Sequence, residues 1–351
     1  MGILMASKIW GKVSIEDAVG MRLAHDMTQI VPGQYKGAAF RKGQIVRKKD
    51  IPRLLDLGKK QIYVLQIPSG SLHENDAARR IAKAVAGKGL ALQGPREGKI
   101  NFIAKHFGFF KVNGPSLKKM NAVGDLMIAT RHHGSIVGKG ELVAGTRAIP
   151  LVISEKKIEK VESIARKERP VLQILPLRKK RVGILVTGSE LYEGRIKDRS
   201  AGVVKKKVEA LGSKVIREEI VPDDPERIAS EIRKMKADGC QLIVATGGLS
   251  VDPDDVTLEG IKRSGAKVIF YGVPVLPGSM FALAYLGKIA ILGAPACVIH
   301  DLITALDLFL PPVLAGIPLT RRQVAALGHG GLCLRCPRCQ YPVCPFGKGD
   351  G

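Results

Sequence analysis

The sequence predicts an α/β protein. Its C-terminal half reads as a three-layer, mostly parallel sheet, preceded by a β-rich mixed α+β region and followed by a small four-cysteine tail. Three observations predict this. From residue 181 onward, short continuous apolar runs alternate with amphipathic stretches at helical spacing, the pattern of parallel strands covered on both faces. Residues 90–153 carry short apolar runs broken by glycine-containing turns, which reads as β structure. Four of the six cysteines fall within the last 19 residues.

The elements follow in order. Residues 50–58 form a short helix capped by Asp50, with Pro52 in its first turn and Gly58 at its end. Residues 61–67 form a strand. Residues 69–89 are helical, with Ala77, Ile81, Ala84 and Val85 on one face. Strands are expected at 100–104, 126–130, 142–144 and 149–153. A charged helix at 155–168 leads into residues 170–176, read as a linker. The β–α alternation then gives strands at 181–187, 214–220, 241–246, 266–271 and 288–292. Helices fall at 203–211, 225–237, 257–264, 280–286 and 296–310. The domains are therefore 1–68, 69–175, 176–325 and 326–351.

Composition narrows the function class. Hydrophobic residues at 45% and charged residues at 25% fit a globular chain and exclude disorder. The formal net charge of +24 favours anionic partners: phosphorylated ligands, an oxyanion, nucleic acid or an anionic membrane. The basic runs Arg178-Lys179-Lys180-Arg181 and Lys205-Lys206-Lys207 are short and read as solvated surface. They lack nearby aromatic residues for base stacking, which disfavours nucleic acid. The most apolar C-terminal stretch, 298–317, carries His300, Asp301, Asp307, Pro311 and Pro312, which argues against a membrane span. Without a signal-peptide pattern at residues 1–10, a cytoplasmic location is expected.

In an open α/β sheet, ligands bind beyond the carboxyl ends of the strands. Four strands end in unusual loops there. They carry Thr187-Gly188-Ser189-Glu190, then residues 246–257 (Thr246-Gly247-Gly248 through Ser250, Asp252, Asp254 and Asp255), then Pro277-Gly278-Ser279, and Gly293-Ala294-Pro295. Glycine admits positive φ and close approach, hydroxyls donate hydrogen bonds, and helix N-termini favour phosphate. Glu190, Asp223, Asp252, Asp254 and Asp255 place carboxylates on the same edge, which makes sense if Mg2+ lies between them and a phosphate. Helix capping is the competing reading for the aspartates.

Taken together, these motifs resemble the domain shared by molybdopterin molybdotransferases and molybdopterin adenylyltransferases. The resemblance rests on T-G-S-E-L at 187–191, P-D-D-P at 222–225, T-G-G-L-S-V at 246–251, D-D-V-T at 254–257, P-G-S-M at 277–280 and L-G-A-P-A at 292–296. Asp17-Ala18-Val19-Gly20 followed by Leu23-Ala24-His25-Asp26 resembles the opening of the molybdotransferases, and Phe40-Arg41-Lys42-Gly43-Gln44-Ile45 resembles their later basic, glycine-containing stretch. The resemblance implies molybdopterin and molybdate as ligands. It places Glu190 and Asp223 at the molybdate or Mg2+ region, with Asp255 as the acidic residue after the Thr-Gly-Gly loop. Thr246, Gly247, Gly248 and Ser250 would hold the pterin side chain or its phosphate, and Pro277 and Gly278 would border the oxyanion site. The implied chemistry is metal-assisted cleavage of adenylylated molybdopterin coupled to molybdate insertion, the dithiolene supplying sulfur ligands.

The departures weaken molybdate insertion more than pterin binding. Where the molybdotransferase pattern is Pro-Gly-Lys-Pro, this chain has Pro277-Gly278-Ser279-Met280, without the basic contact. Leu292-Gly293-Ala294-Pro295-Ala296 stands for Leu-Pro-Gly-Asn-Pro. A carrier that delivers the cofactor to a molybdoenzyme or another assembly protein, with a redox-sensing or docking tail, is the alternative, and a homo-oligomer fits either reading.

The tail spacing Cys333-x2-Cys336-x2-Cys339-x4-Cys344-Pro345 suits one four-cysteine site, either an iron–sulfur cluster or zinc. Cys240 and Cys297 read as core residues. His132-His133-Gly134 reads as a turn, and His73 as a helix cap.

Overall fold

The computed structural model describes residues 10–31, 35–65, 67–249 and 255–349. Ser250, Asp252 and Asp254 of the expected site lie outside the described residues. No helix among the described residues is long and apolar enough to cross a membrane.

The N-terminal residues build a small antiparallel sheet in which Gln61–Leu65 lies between Trp10–Ser14 and Arg22–Leu23. The helix Ile51–Asp56 packs beside it, with Ile15, Leu23, Leu54 and Val64 fully buried between them. Next comes a β-rich unit. Its four-stranded antiparallel sheet runs in the order Leu126–Thr130, Leu142–Ala148, Lys99–Ala104, Leu90–Arg96. The helices Glu74–Val85 and Glu155–Lys167 cover it, and Ile81, Phe102, Phe110 and Ile158 are fully buried in one core.

Two expectations fail in this unit. The helix expected over 69–89 covers only Glu74–Val85, because Ser71–His73 pairs as a strand with Val152–Ser154. His73 then caps the helix as anticipated: its Nδ1 accepts from the Asn75 N–H at 3.1 Å. The linker expected at 170–176 is instead the strand Leu172–Leu175, paired antiparallel with Gly108–Val112. The flanking prolines suggested a linker, but the buried alternation of Leu172 and Ile174 decides for the sheet. The histidine pair forms the expected turn, with Ser135 N–H donating to His132 O.

The C-terminal unit is the expected three-layer sheet. Its strands are β1 (Arg181–Thr187), β2 (Lys214–Val221), β3 (Leu242–Thr246), β4 (Lys267–Tyr271), β5 (Ala282–Leu286) and β6 (Ile289–Ala294). Its helices are α1 (Ser189–Tyr192), α2 (Ser200–Ala210), α3 (Pro225–Ala237), α4 (Thr257–Arg263), α5 (Ala305–Leu314) and α6 (Arg321–Ala326). The sheet order is β2-β1-β3-β6-β5-β4, and only β5 runs against the others.

Alternation along the strands explains the layers. Val182, Ile184 and Val186 of β1 face a core with Val204, Val208, Phe309 and Leu310 from α2 and α5. Leu185 of β1 and Ile243 of β3 face the opposite core with Ile228, Ile232, Met235 and Ile261 from α3 and α4. Side chains of successive residues point to opposite faces, so each strand feeds both layers and must be apolar throughout.

Two helices were misread here. Residues 280–286, expected as a helix, are strand β5. Leu286 pairs with Ile289 across a two-residue turn at Gly287-Lys288, where Gly287 has φ +64°. Alanine and leucine favour a helix locally, but the hairpin turn and burial between β6 and β4 override that preference. The long helix expected at 296–310 splits into a 3-10 turn, Ala296–Ile299, and α5. Thr304 starts α5 through a capping box with Asp307. Lys207 also departs from the surface reading of its basic run, since it pairs with Asp307 at 2.7 Å with both side chains largely buried.

Candidate functional site

The carboxyl ends of β1, β3 and β6 lie side by side, because these three strands are parallel neighbours. Their loops therefore gather on one rim.

At the centre is a hydrogen-bonded knot. Thr257 at the start of α4 donates its hydroxyl proton to Gly247 O at 2.9 Å, so Thr187 Oγ1 must be the donor in its 2.8 Å bond to Thr257 Oγ1. Thr257 N–H donates to Gly248 O at 3.1 Å. Glycine is required at both turn positions. Gly247 has φ +95°, and a Cβ there would sit 2.1 Å from Thr187 O. Gly248 has φ +52°, and a Cβ there would sit 2.6 Å from Thr257 Oγ1. Thr246, at the end of β3, is fully buried, and its hydroxyl has no hydrogen-bond partner among the described residues.

The two adjacent aspartates divide the work. Asp224 is the helix cap, accepting from Glu226 N–H at 2.8 Å and Arg227 N–H at 3.2 Å. Asp223 crosses to the first loop, where its Oδ2 accepts from the Ser189 N–H at 2.8 Å. The Ser189 hydroxyl lies 3.2 Å from the same oxygen. The other Asp223 oxygen faces the Gly247-Gly248 turn, 3.4 Å from where a Gly248 Cβ would stand. Glu190 does not join them; it is exposed and does not line the cavity described next.

Beside the knot opens a cavity of about 620 Å3, lined by Gly248, Asp255, Pro277, Gly278, Ser279 and Pro295, among others. Gly278, with φ +109°, lets the loop press onto α5; a Cβ there would lie 2.8 Å from Ala305 N. Tyr271 donates its hydroxyl to Leu249 O at 2.9 Å, and burial, with the Asp255 carboxylate nearby, raises the phenol above its ordinary range. Gly293 and Ala294 belong to β6 rather than to a loop, and a Cβ on Gly293 would strike Ala282 and Leu249. They shape the sheet, and Pro295 alone of that group reaches the cavity.

Sequence reasoning missed Cys297 and Arg335, which also line the cavity, and treated Thr257 only as part of a motif. Cys297 sits in the 3-10 turn, half-buried, because the expected long helix is broken. Cys240 is a core residue as expected, 2% exposed. The tail cysteines are free thiols, Cys336 and Cys339 exposed and Cys333 and Cys344 half-buried. All four border one cavity of about 330 Å3. Among the described residues, however, no three His, Cys, Asp or Glu side chains are grouped so as to hold a metal.

A doubly covered, mostly parallel sheet with glycine turns and hydroxyls at one rim, beside a cavity of small-molecule size, defines an α/β domain with its candidate site at the strand ends. Residues 183–316 match the family described as "Probable molybdopterin binding domain". Residues 12–66 match a family described only as a domain of unknown function. The molybdopterin molybdenumtransferase of Synechococcus elongatus is 28% identical over 196 residues, covering 52% of this chain and 46% of that protein. A CinA-like protein of Mycobacterium leprae is 39% identical over 83 residues, covering 24% of this chain and 19% of that one. The chain thus spans less than half the length of these curated relatives. Among solved structures, the tungsten cofactor synthesizing protein MoaB from Pyrococcus furiosus aligns with 39% of this chain and 93% of its own, at 18% identity and TM-score 0.32.

Proposed function

We propose that the rim of β1, β3 and β6 binds molybdopterin and that the protein serves molybdenum-cofactor biosynthesis. One observation carries the reading: Gly248 belongs both to the threonine–glycine knot and to the wall of the 620 Å3 cavity, so a ligand there meets backbone held in place by that knot, beside the Ser279 hydroxyl on the same wall. The volume lies within the roughly 300–1,000 Å3 usual for small-molecule sites. The buried Thr246 hydroxyl beneath the same turn, without a hydrogen-bond partner among the described residues, supports it.

Molybdate insertion into adenylylated molybdopterin is the enzymatic form of this proposal. Mg2+ would be held by Asp223 and Asp255 together with ligand phosphates, and it would neutralise charge on the phosphoryl oxygens. Ser189 holds Asp223 in place for that role, and Gly247 and Gly248 give the phosphate room. The exposed position of Glu190 leaves fewer acidic groups at the rim than an insertion site calls for, which favours binding and delivery of the cofactor over catalysis. A four-cysteine zinc or iron–sulfur centre is a separate proposal. It requires Cys336 and Cys339 to close on Cys333 and Cys344 across the cavity all four border, and metal and sulfide analysis of anaerobically purified protein tests it.

Complementation of a strain unable to insert molybdate separates the enzymatic form from the delivery form. Growth on a molybdoenzyme-dependent substrate is expected only if the chain inserts the metal. Saturable binding without complementation identifies a carrier.

A further inference from the structure

The cysteine-rich tail is built into the candidate site. Its chain returns beside the loop that carries Pro277 and Gly278: Leu276 N–H donates to Gly331 O and Cys333 N–H donates to Leu276 O, both at 2.8 Å. This makes a parallel bridge between Leu276 and Leu332. Gly331 is required for that approach, since a Cβ there would lie 2.3 Å from Pro274 O. Further on, Phe346 is buried in the C-terminal core, and Gly347 N–H donates to Gly330 O at 2.9 Å. The segment between these anchors brings Cys333 and Arg335 to the wall of the cavity.

Arg335 is the sole lysine or arginine among the described residues lining that cavity. Its guanidinium is fixed by a fork to Asp301, with Nε to Oδ1 at 2.9 Å and Nη2 to Oδ2 at 3.1 Å. The fork uses two of the five N–H donors and leaves those of Nη1 for another acceptor. A cation would strengthen the hold on a tetrahedral oxyanion beside Gly278 and Ser279, and the strand-end loops lining the cavity supply none among the described residues.

We propose that Arg335, presented by the tail, binds the anionic group of the ligand in this cavity, and that Asp301 is its positioning residue. The anion is a tetrahedral oxyanion, either the ligand's phosphate or molybdate. The proposal rests on the reading of the rim as a molybdopterin site.

The test compares molybdopterin binding by the full wild-type chain, R335Q and R335K under anaerobic conditions, with matched melting curves as the fold control. R335Q should weaken binding by about tenfold or more, and R335K should recover part of the loss. Inorganic phosphate and molybdate are added separately as competitors, and the one that displaces ligand from wild type but not from R335Q identifies the anion. In parallel, alkylation by iodoacetamide is mapped by mass spectrometry. Bound molybdopterin should protect Cys333 and leave Cys336 and Cys339 reactive; this arm decides if R335Q does not fold. Binding by R335Q within about twofold of wild type overturns the role of Arg335 and leaves the rim reading standing. No binding by wild type overturns both.

Discussion

At the scale of single residues, the rim depends on atoms that leave no room for change. Gly247→Ala places a methyl group against Thr187 O in a left-handed conformation. It should destabilise the domain by on the order of 2 kcal/mol, read by urea denaturation, and abolish molybdopterin binding. Thr246→Val is the opposite case. Removing a buried hydroxyl that has no partner among the described residues should leave stability unchanged or raise it by up to about 1 kcal/mol, while weakening ligand binding if that hydroxyl meets the ligand. Equal binding by the variant would exclude Thr246 from the contact. The sequence made the glycine turns legible because φ constraints leave few alternatives to glycine. Residue type alone could not divide Asp223 from Asp224, since both precede α3; the resemblance singled out Asp223, and the crossing to Ser189 shows how its role differs from the cap Asp224.

At the scale of elements, His73 shows how a cap couples to pH. Burial, followed by the Arg22 charge, lowers its pKa from 6.5 to about 4, so the neutral ring caps its helix. The unfolded chain binds the proton more readily, so stability is present above the unfolded pKa and is lost as pH falls from about 6.5 toward about 4. The slope is about 1.4 kcal/mol per pH unit and the total roughly 3 kcal/mol. His73→Asn keeps a capping acceptor, and the difference between its stability and that of wild type should shrink in this window; an unchanged difference in chemical denaturation across pH would refute the assignment. Strand β5 was illegible for a physical reason. Its alanines and leucines suit a helix, and only the Gly287-Lys288 turn, a short local signal, fixes it as a hairpin arm. Where periodicity and caps agreed, as in α3 with Asp224 and Pro225, the helix bounds were legible from the sequence.

At the scale of the whole molecule, the net charge of +24 draws anions toward a surface where Arg335 is the cation at the rim cavity. The β–α alternation made the layered sheet legible, because burial on both faces demands continuously apolar strands. The course of the tail was not legible, since the cysteine spacing drew attention to metal while the backbone bridge of Leu332 to Leu276 and the buried Phe346 ring anchor it. Phe346→Ala should cost about 3–5 kcal/mol in the thermal or urea unfolding of the full chain, the penalty of a buried aromatic; a loss under about 1 kcal/mol would show the tail to be detached. The most direct measurement of the central claim is a titration of the full chain with molybdopterin under anaerobic conditions, alongside a Gly248→Val variant that passes a folding check. Saturable binding at one ligand per chain, lost in the variant, is the expected result. No binding by wild type, or equal binding by a folded Gly248→Val variant, would contradict the rim as the ligand site.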